Sequence, residues 1–241
     1  MVTKRYLDSV PEKLKDFALS DVTDEHIIFN SKLPFIKFDL SLDKELIDAM
    51  LEELKTVRES FFSQPGVTEQ WARGTLIKHF YYRNKFENYK SPPDLTKPLV
   101  WSEDTPPTIK KFFCEMLGDI VYSRIQCDLL LPGGYIAPHA DTDPLHNGIP
   151  GQLVSLNLAI THPKGCYFYI KNYGHIPFRK PGDIFLIDTC VPHCVVNNSD
   201  EDRYHFKIHI DYSKSVFKDK DILNRSYFKT IGTVSNLSLL Q

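Results

Sequence analysis

Apolar positions recur at two different periods along this chain, and the change of period divides it. Leu42, Leu46, Met50, Leu54, Val57 and Phe61 fall three or four residues apart, a spacing that lines one face of a helix. Ser41 supplies a cap, Asp43 and Glu45 sit in the positive first turn, and Gln64-Pro65-Gly66 marks the end. A second helical stripe, Ile109, Phe112, Phe113, Met116, Leu117 and Ile120, follows Thr105 as cap and Pro106 at the first helical position. From Arg124 onward the period is two. Ile125, Cys127, Leu129 and Leu131 alternate with other residues, and Pro132-Gly133-Gly134 turns the chain into a strand over 135–141. Further strands are predicted at 152–161, 166–171, 183–188, 193–196 and 203–211. Upstream, short strands are predicted at 26–29, 33–38 and 71–83, and the proline-rich stretch 84–101 reads as a loop.

Many short strands separated by turn signals indicate a sandwich or barrel. The two amphipathic helices are packing layers on that sheet. The expected fold is therefore mainly β with flanking helices, in a single domain over 1–241. Its β core covers about 120–212, and residues 20–120 act as support and substrate-binding elements. The chain has 241 residues with 25% charged side chains and a formal net charge of −2, which gives no support for coating a nucleic acid or a polybasic role at a membrane. No apolar run approaches the roughly 20 residues needed to span a bilayer, and the first residues carry no apolar core of the secretory kind. Five cysteines without a Cys-x-x-Cys pair suit a reducing compartment, so a cytoplasmic location is expected.

Candidate chemistry is concentrated between Pro138 and Arg203. His139-Ala140-Asp141 places an imidazole and a carboxylate at i and i+2, the same side of an extended strand. His193, far along the chain, supplies a third ligand. Two imidazoles and one carboxylate can occupy one face of an octahedral metal, a set that suits Fe(II) in non-haem oxygenases because the opposite face stays open. Arg203 is then the cation that grips the far end of a dicarboxylate, since a guanidinium fork matches a carboxylate. It shares a strand face with His205, Lys207 and His209, while Tyr204, Phe206, Ile208 and Ile210 form the apolar face. His205 and Lys207 are read either as groups supporting the site or as a solvated strand end. Leu153, Ser155, Asn157, Ala159 and Thr161 share the inward face of their strand. Cys194, one residue from His193, points away from the metal by alternation and is an inert thiol.

The runs Pro138-His139-Ala140-Asp141, Leu153-Val154-Ser155-Leu156-Asn157-Leu158-Ala159-Ile160, Pro163-Lys164-Gly165-Cys166 and Pro181-Gly182-Asp183-Ile184-Phe185-Leu186-Ile187-Asp188, with His193 and Arg203, resemble the aspartyl/asparaginyl β-hydroxylase family. The resemblance covers about residues 120–212. It implies a double-stranded β-helix (jelly-roll) core and an Fe(II)- and 2-oxoglutarate-dependent dioxygenase. Such an enzyme hydroxylates an amino acid or an amino-acid side chain in a peptide or protein with O2, releasing succinate and CO2. It also implies that Ser155 and Asn157 hydrogen-bond the co-substrate, Asn157 lying near where the family places a histidine. The enzymes that give the family its name have glycine where this chain has Asp141, which weakens transfer of the aspartyl-residue substrate. The carboxylate also argues against a halogenase. Upstream, Trp71, Arg73, His79, Tyr81 and Arg83 combine aromatic and cationic groups that suit a carboxylate-bearing substrate, with Arg73, His79 and Arg83 as its contacts. The alternatives are a metal-binding jelly roll of the cupin kind that needs no 2-oxoglutarate, and a non-catalytic protein binding a small acid or partner in the same pocket.

Overall fold

The structure is a computed structural model that describes residues 35–40, 42–58, 77–83, 105–116, 118–119, 122–141, 154–189, 191–210, 216–217, 222, 225–226 and 229–230. Its regular elements run in the order β1 (Phe35–Lys37), α1 (Lys44–Thr56), β2 (Ile77–Arg83), α2 (Pro107–Lys111) with a π-helical turn at Phe112–Met116, then β3 (Gly118–Asp119) and β4 (Tyr122–Leu130). They continue as β5 (Tyr135–His139), β6 (Val154–Ala159), β7 (Cys166–Ile170), β8 (Gly174–His175), β9 (Ile184–Asp188), β10 (His193–Asn197), β11 (Arg203–Ile210) and β12 (Val216–Phe217). The strand predicted at 26–29, the loop at 84–101 and the stop signal Gln64-Pro65-Gly66 lie outside the described residues.

Pairing among the strands is antiparallel and nested. β4 pairs with β11, β5 with β10, β6 with β9 and β7 with β8. A long hairpin folded back on itself in this way distributes its strands alternately between two sheets. One sheet has the order β1-β9-β6-β11-β4-β2 and the other β5-β10-β7-β8. This is the jelly-roll arrangement that the family resemblance implies, with β1 and β2 added at the edges of the larger sheet. A third ladder joins β12 to β3.

Period-two alternation explains the layers. On one face of the larger sheet, Ile125, Cys127 and Leu129 of β4, Leu156 and Leu158 of β6, Ile184 and Leu186 of β9, and Tyr204, Phe206 and Ile208 of β11 are buried against the helices. The helices answer with Ile47, Met50 and Leu54 of α1 and with Ile109, Phe112 and Phe113. Each such side chain, fully buried, is worth about 1.5–3 kcal/mol. The opposite face meets the smaller sheet through Leu130, Ala159, Phe185 and Ile187, facing Phe168, Ile170 and Val195.

Helix boundaries differ from the expectation in instructive ways. Asp43, not Ser41, is the residue before the first turn of α1, and the helix ends at Thr56 rather than near Gln64. Ile47 supplies a buried position that the predicted stripe omitted, while Leu42, Leu46 and Val57 pack partly buried at its margin. In α2 the helix starts one residue later than predicted, because Pro107 forces the preceding Pro106 into an extended conformation (ψ 145°). Its free N–H groups find a partner in α1: Thr108 N and Ile109 N donate to the Glu53 carboxylate at 2.9 and 3.2 Å. No helix among the described residues is long and apolar enough to cross a membrane.

Candidate metal centre

The register of two ladders assembles the predicted ligands. His139 is the last residue of β5 and His193 the first of β10, and the two are direct cross-strand partners. Their ring centroids lie 4.3 Å apart. Asp141 lies two residues beyond the end of β5, a shorter strand than predicted, and its N–H donates to Thr189 O at 2.8 Å. That bond ties the end of β5 to the larger sheet and turns the carboxylate back toward the imidazoles. Asp141 Oδ1 is 3.4 Å from His139 Nε2, and one ligand atom from each of His139, Asp141 and His193 lies within 4.8 Å of the other two. Two donors at right angles, each about 2.1 Å from an ion, stand roughly 3 Å apart. The cluster needs only a small contraction to hold one.

Hydrogen bonds fix which ring nitrogens face the cluster. His139 Nδ1 lies 2.8 Å from Ala137 O and His193 Nδ1 lies 2.9 Å from Val191 O. A carbonyl only accepts, so each Nδ1 carries the proton and each Nε2 presents a lone pair. Burial, with His139 alongside, pushes His193 down to about 3, which keeps the imidazole neutral as a metal ligand must be. Phe168 stacks on the His193 ring at 5.4 Å and 16°. The donor set therefore fits a divalent transition ion with nitrogen and carboxylate preferences.

Arg203 opens β11 and is 2% exposed. Burial pulls its pKa below the usual arginine range, opposed by Cys166 and Asp128 nearby, yet a guanidinium remains charged. Among the described residues no carboxylate lies within ion-pair distance of it. A buried cation with no anion of its own is costly, and a dicarboxylate would relieve that cost. Next on the same face, His205 Nε2 lies 3.1 Å from Asn157 Oδ1, while Asn157 Nδ2 donates to Ser155 O and Oγ at 3.1 Å. The orientation of the Asn157 amide is thus set by the Ser155 carbonyl, which can only accept. His205 Nδ1 is buried without a partner, and burial, then Arg203, holds its pKa well below the usual value. Lys207, third on the face, reaches Asp141 Oδ2 at 2.7 Å. Neither His205 nor Lys207 lies on a solvated strand end.

Sequence reasoning passed over Gln126 and Asp128, two buried polar residues of β4 joined by a hydrogen bond from Gln126 Nε2 to Asp128 Oδ1. The signal was present, because the alternation that sends Ile125, Cys127 and Leu129 toward the helices sends their neighbours the other way. Phe178 was also missed. It sits edge-on to His205 at 5.1 Å and to Phe185 at 4.5 Å, and no period marks it because it lies between β8 and β9. Cys194 is buried as expected, its thiol pushed up to about 12 by burial. Of the three proposed substrate contacts, Arg73 lies outside the described residues. His79 and Arg83 lie on β2, opposite Asp128 and Ile125 of β4, and their side chains are outside the described atoms.

Residues 102–212 match the family described as Aspartyl/Asparaginyl beta-hydroxylase. The match begins upstream of the resembling segment and takes in α2. No curated protein matches the sequence. Among solved structures, a Pseudomonas putida prolyl-4-hydroxylase is similar with 12% identity, covering 79% of this chain and 96% of its own, at a TM-score of 0.47. A viral collagen prolyl hydroxylase from Paramecium Bursaria Chlorella virus-1 shows 14% identity, with 76% and 98% covered and a TM-score of 0.46. A prolyl hydroxylase from Trichoplax adhaerens, solved with a hypoxia inducible factor peptide fragment, shows 13% identity, with 86% and 97% covered and a TM-score of 0.47.

Proposed function

We propose, on the premise that residues 102–212 carry an aspartyl/asparaginyl β-hydroxylase segment, that this protein is an Fe(II)- and 2-oxoglutarate-dependent dioxygenase. Its substrate is an amino acid or an amino-acid side chain in a peptide or protein. The observation that carries the reading is the convergence of His139, Asp141 and His193 within 4.8 Å, with both Nδ1 atoms held by backbone carbonyls. When bound, Fe(II) with 2-oxoglutarate supplies the oxidising power for C–H hydroxylation, the co-substrate leaving as succinate and CO2.

The chain's own residues bind, orient and exclude water. His139, Asp141 and His193 would hold the ion, a ligand set that suits Fe(II). Arg203 receives the distal carboxylate of 2-oxoglutarate through its planar fork. The Ser155–Asn157–His205 chain holds the floor between Arg203 and the metal ligands in one arrangement, and Ser155 and Asn157 stand as candidates for direct contact with the co-substrate. Phe168, Phe178 and Phe185 surround these groups with apolar surface, which keeps bulk water out and strengthens the electrostatics inside. Arg73, His79 and Arg83 are candidates for the substrate's carboxylate. A buried guanidinium favours this reading over a metal jelly roll that uses no keto acid, which has no task for such a cation.

The test is incubation with Fe(II), 2-oxoglutarate and O2 against a panel of amino acids and peptides, read by succinate release and by mass spectrometry for added oxygen. His193→Ala and Asp141→Ala are expected to abolish succinate formation. Full activity in either variant would refute the ligand assignment.

A further inference from the structure

Lys207 has no part in the reading above, yet it makes a defined contact with one of the candidate ligands. Its ammonium lies 2.7 Å from Asp141 Oδ2, while Oδ1 of the same carboxylate lies 3.4 Å from His139 Nε2. The two oxygens therefore face different partners, one toward the imidazole cluster and one toward the larger sheet. Lys207 belongs to β11 and Asp141 follows β5, so the contact bridges the two sheets across 66 residues. Both side chains are largely buried, at 15% and 17% exposure.

We propose that Lys207 is a positioning residue, which occupies Oδ2 of Asp141 and so holds Oδ1 toward the imidazole cluster where a metal would bind. The proposal rests on the metal-site reading. A carboxylate free to turn must be ordered before it can meet an ion, and a partner on its other oxygen removes that cost. Lysine is an odd choice if affinity for the ion were the only concern, because an ammonium so close also repels a divalent cation. Its presence is explained when orientation outweighs repulsion, and the two effects have opposite signs on metal affinity.

That difference makes the proposal testable without turnover. Mn(II) is titrated into the full chain and followed by the electron paramagnetic resonance signal of the free ion, for wild type, His193→Ala, Lys207→Met and Lys207→Gln. The metal-free melting temperature of each variant is measured alongside. Lys207→Met is expected to weaken Mn(II) binding about tenfold or more, the usual range for losing a partner of a metal ligand. Lys207→Gln keeps an N–H donor within reach of Oδ2 without the charge, and is expected to recover most of that loss. Mn(II) affinity in Lys207→Met equal to or tighter than wild type overturns the proposal, as does Lys207→Gln binding no better than Lys207→Met. Should Lys207→Met not fold, Lys207→Gln decides: near wild-type affinity supports the proposal and a tenfold loss overturns it. Wild-type protein that binds no Mn(II), or binds it as His193→Ala does, instead overturns the metal site itself.

Discussion

Replacing Arg203 by methionine separates a binding role from a packing role, because the two predict opposite signs. The guanidinium is 2% exposed and has no described carboxylate within ion-pair distance, so in the ligand-free protein it is a buried charge whose desolvation Cys166 and Asp128 nearby offset only in part. Methionine fills similar length with apolar atoms. Removing the charge is therefore expected to leave the ligand-free protein as stable as wild type, or more stable by about 1 kcal/mol or more. Most core substitutions do the reverse and cost about 0.5–3 kcal/mol. Binding of 2-oxoglutarate should move the other way. A fork grips a carboxylate through two charge-assisted hydrogen bonds of about 1.5–3 kcal/mol each, and leaving one member of a buried charge pair alone costs about 3–5 kcal/mol. At 1.4 kcal/mol per decade this corresponds to a Kd raised roughly 10²- to 10³-fold. Lysine at 203 keeps the charge but offers a single point of contact, and is expected to lose about tenfold, one of the two bonds. The assay is isothermal titration of 2-oxoglutarate into Mn(II)-loaded protein without O2, beside urea unfolding of the metal-free variants. A Kd unchanged in Arg203→Met, together with a loss of several kcal/mol in stability, would show that the side chain serves packing and would refute the anchor.

Other expectations follow from the surrounding contacts. Asn157→Ala removes the partner of His205 Nε2 and the donor to Ser155, leaving buried polar atoms unmatched at about 1–3 kcal/mol in urea unfolding; a loss below half a kilocalorie would show that the network relaxes. Glu53→Ala takes away the acceptor for the first N–H groups of α2 and should cost about 1 kcal/mol, as loss of a helix cap does, with unfolding curves as the check. His162 is held down to about 4 by burial and by Arg203. The folded state therefore resists protonation that the unfolded chain accepts near 6.5, the unfolded state binds more protons, and stability should fall as pH drops from about 6.5 toward 4. Urea unfolding at pH 7, 6 and 5 should show that slope, reduced in His162→Phe; an identical slope in the variant would assign it to other groups.

Much of this arrangement is legible in the chain because strand alternation is a local rule. The parity of Tyr204, Phe206 and Ile208 against Arg203, His205 and Lys207 is visible in eight residues, and the structure keeps it. His139 and Asp141 declare themselves by spacing, and His193 by its place after a turn. The register that sets His193 opposite His139 is not local. It follows from the nesting of β5 with β10 inside β4 with β11, which periodicity does not specify and which the resemblance alone supplied. Ends of elements were read least well, since a cap competes with tertiary contacts. Pro106 and Pro107 together moved the start of α2, and Glu53, an α1 residue, took the place of the predicted Thr105 cap. The contact between Lys207 and Asp141 could not be read at all, because it joins residues from different sheets that share no pattern.

Formal charge at the gap between the sheets explains why these side chains occur together. Among the described side chains there, Arg203 and Lys207 contribute two positive charges, Asp128 and Asp141 two negative, and the imidazoles of His193 and His205 are kept neutral by burial. Among these groups the balance is zero before anything binds. A divalent ion alone leaves an excess of two positive charges among buried groups, and a dianionic keto acid alone leaves two negative; either excess is expensive where the effective dielectric is low. Together they restore the balance. Metal and 2-oxoglutarate should therefore each tighten the binding of the other by the same factor, as linkage requires. This coupling does not need any movement of the fold. It arises because these side chains already cancel, so the incoming pair is best accepted as a neutral unit.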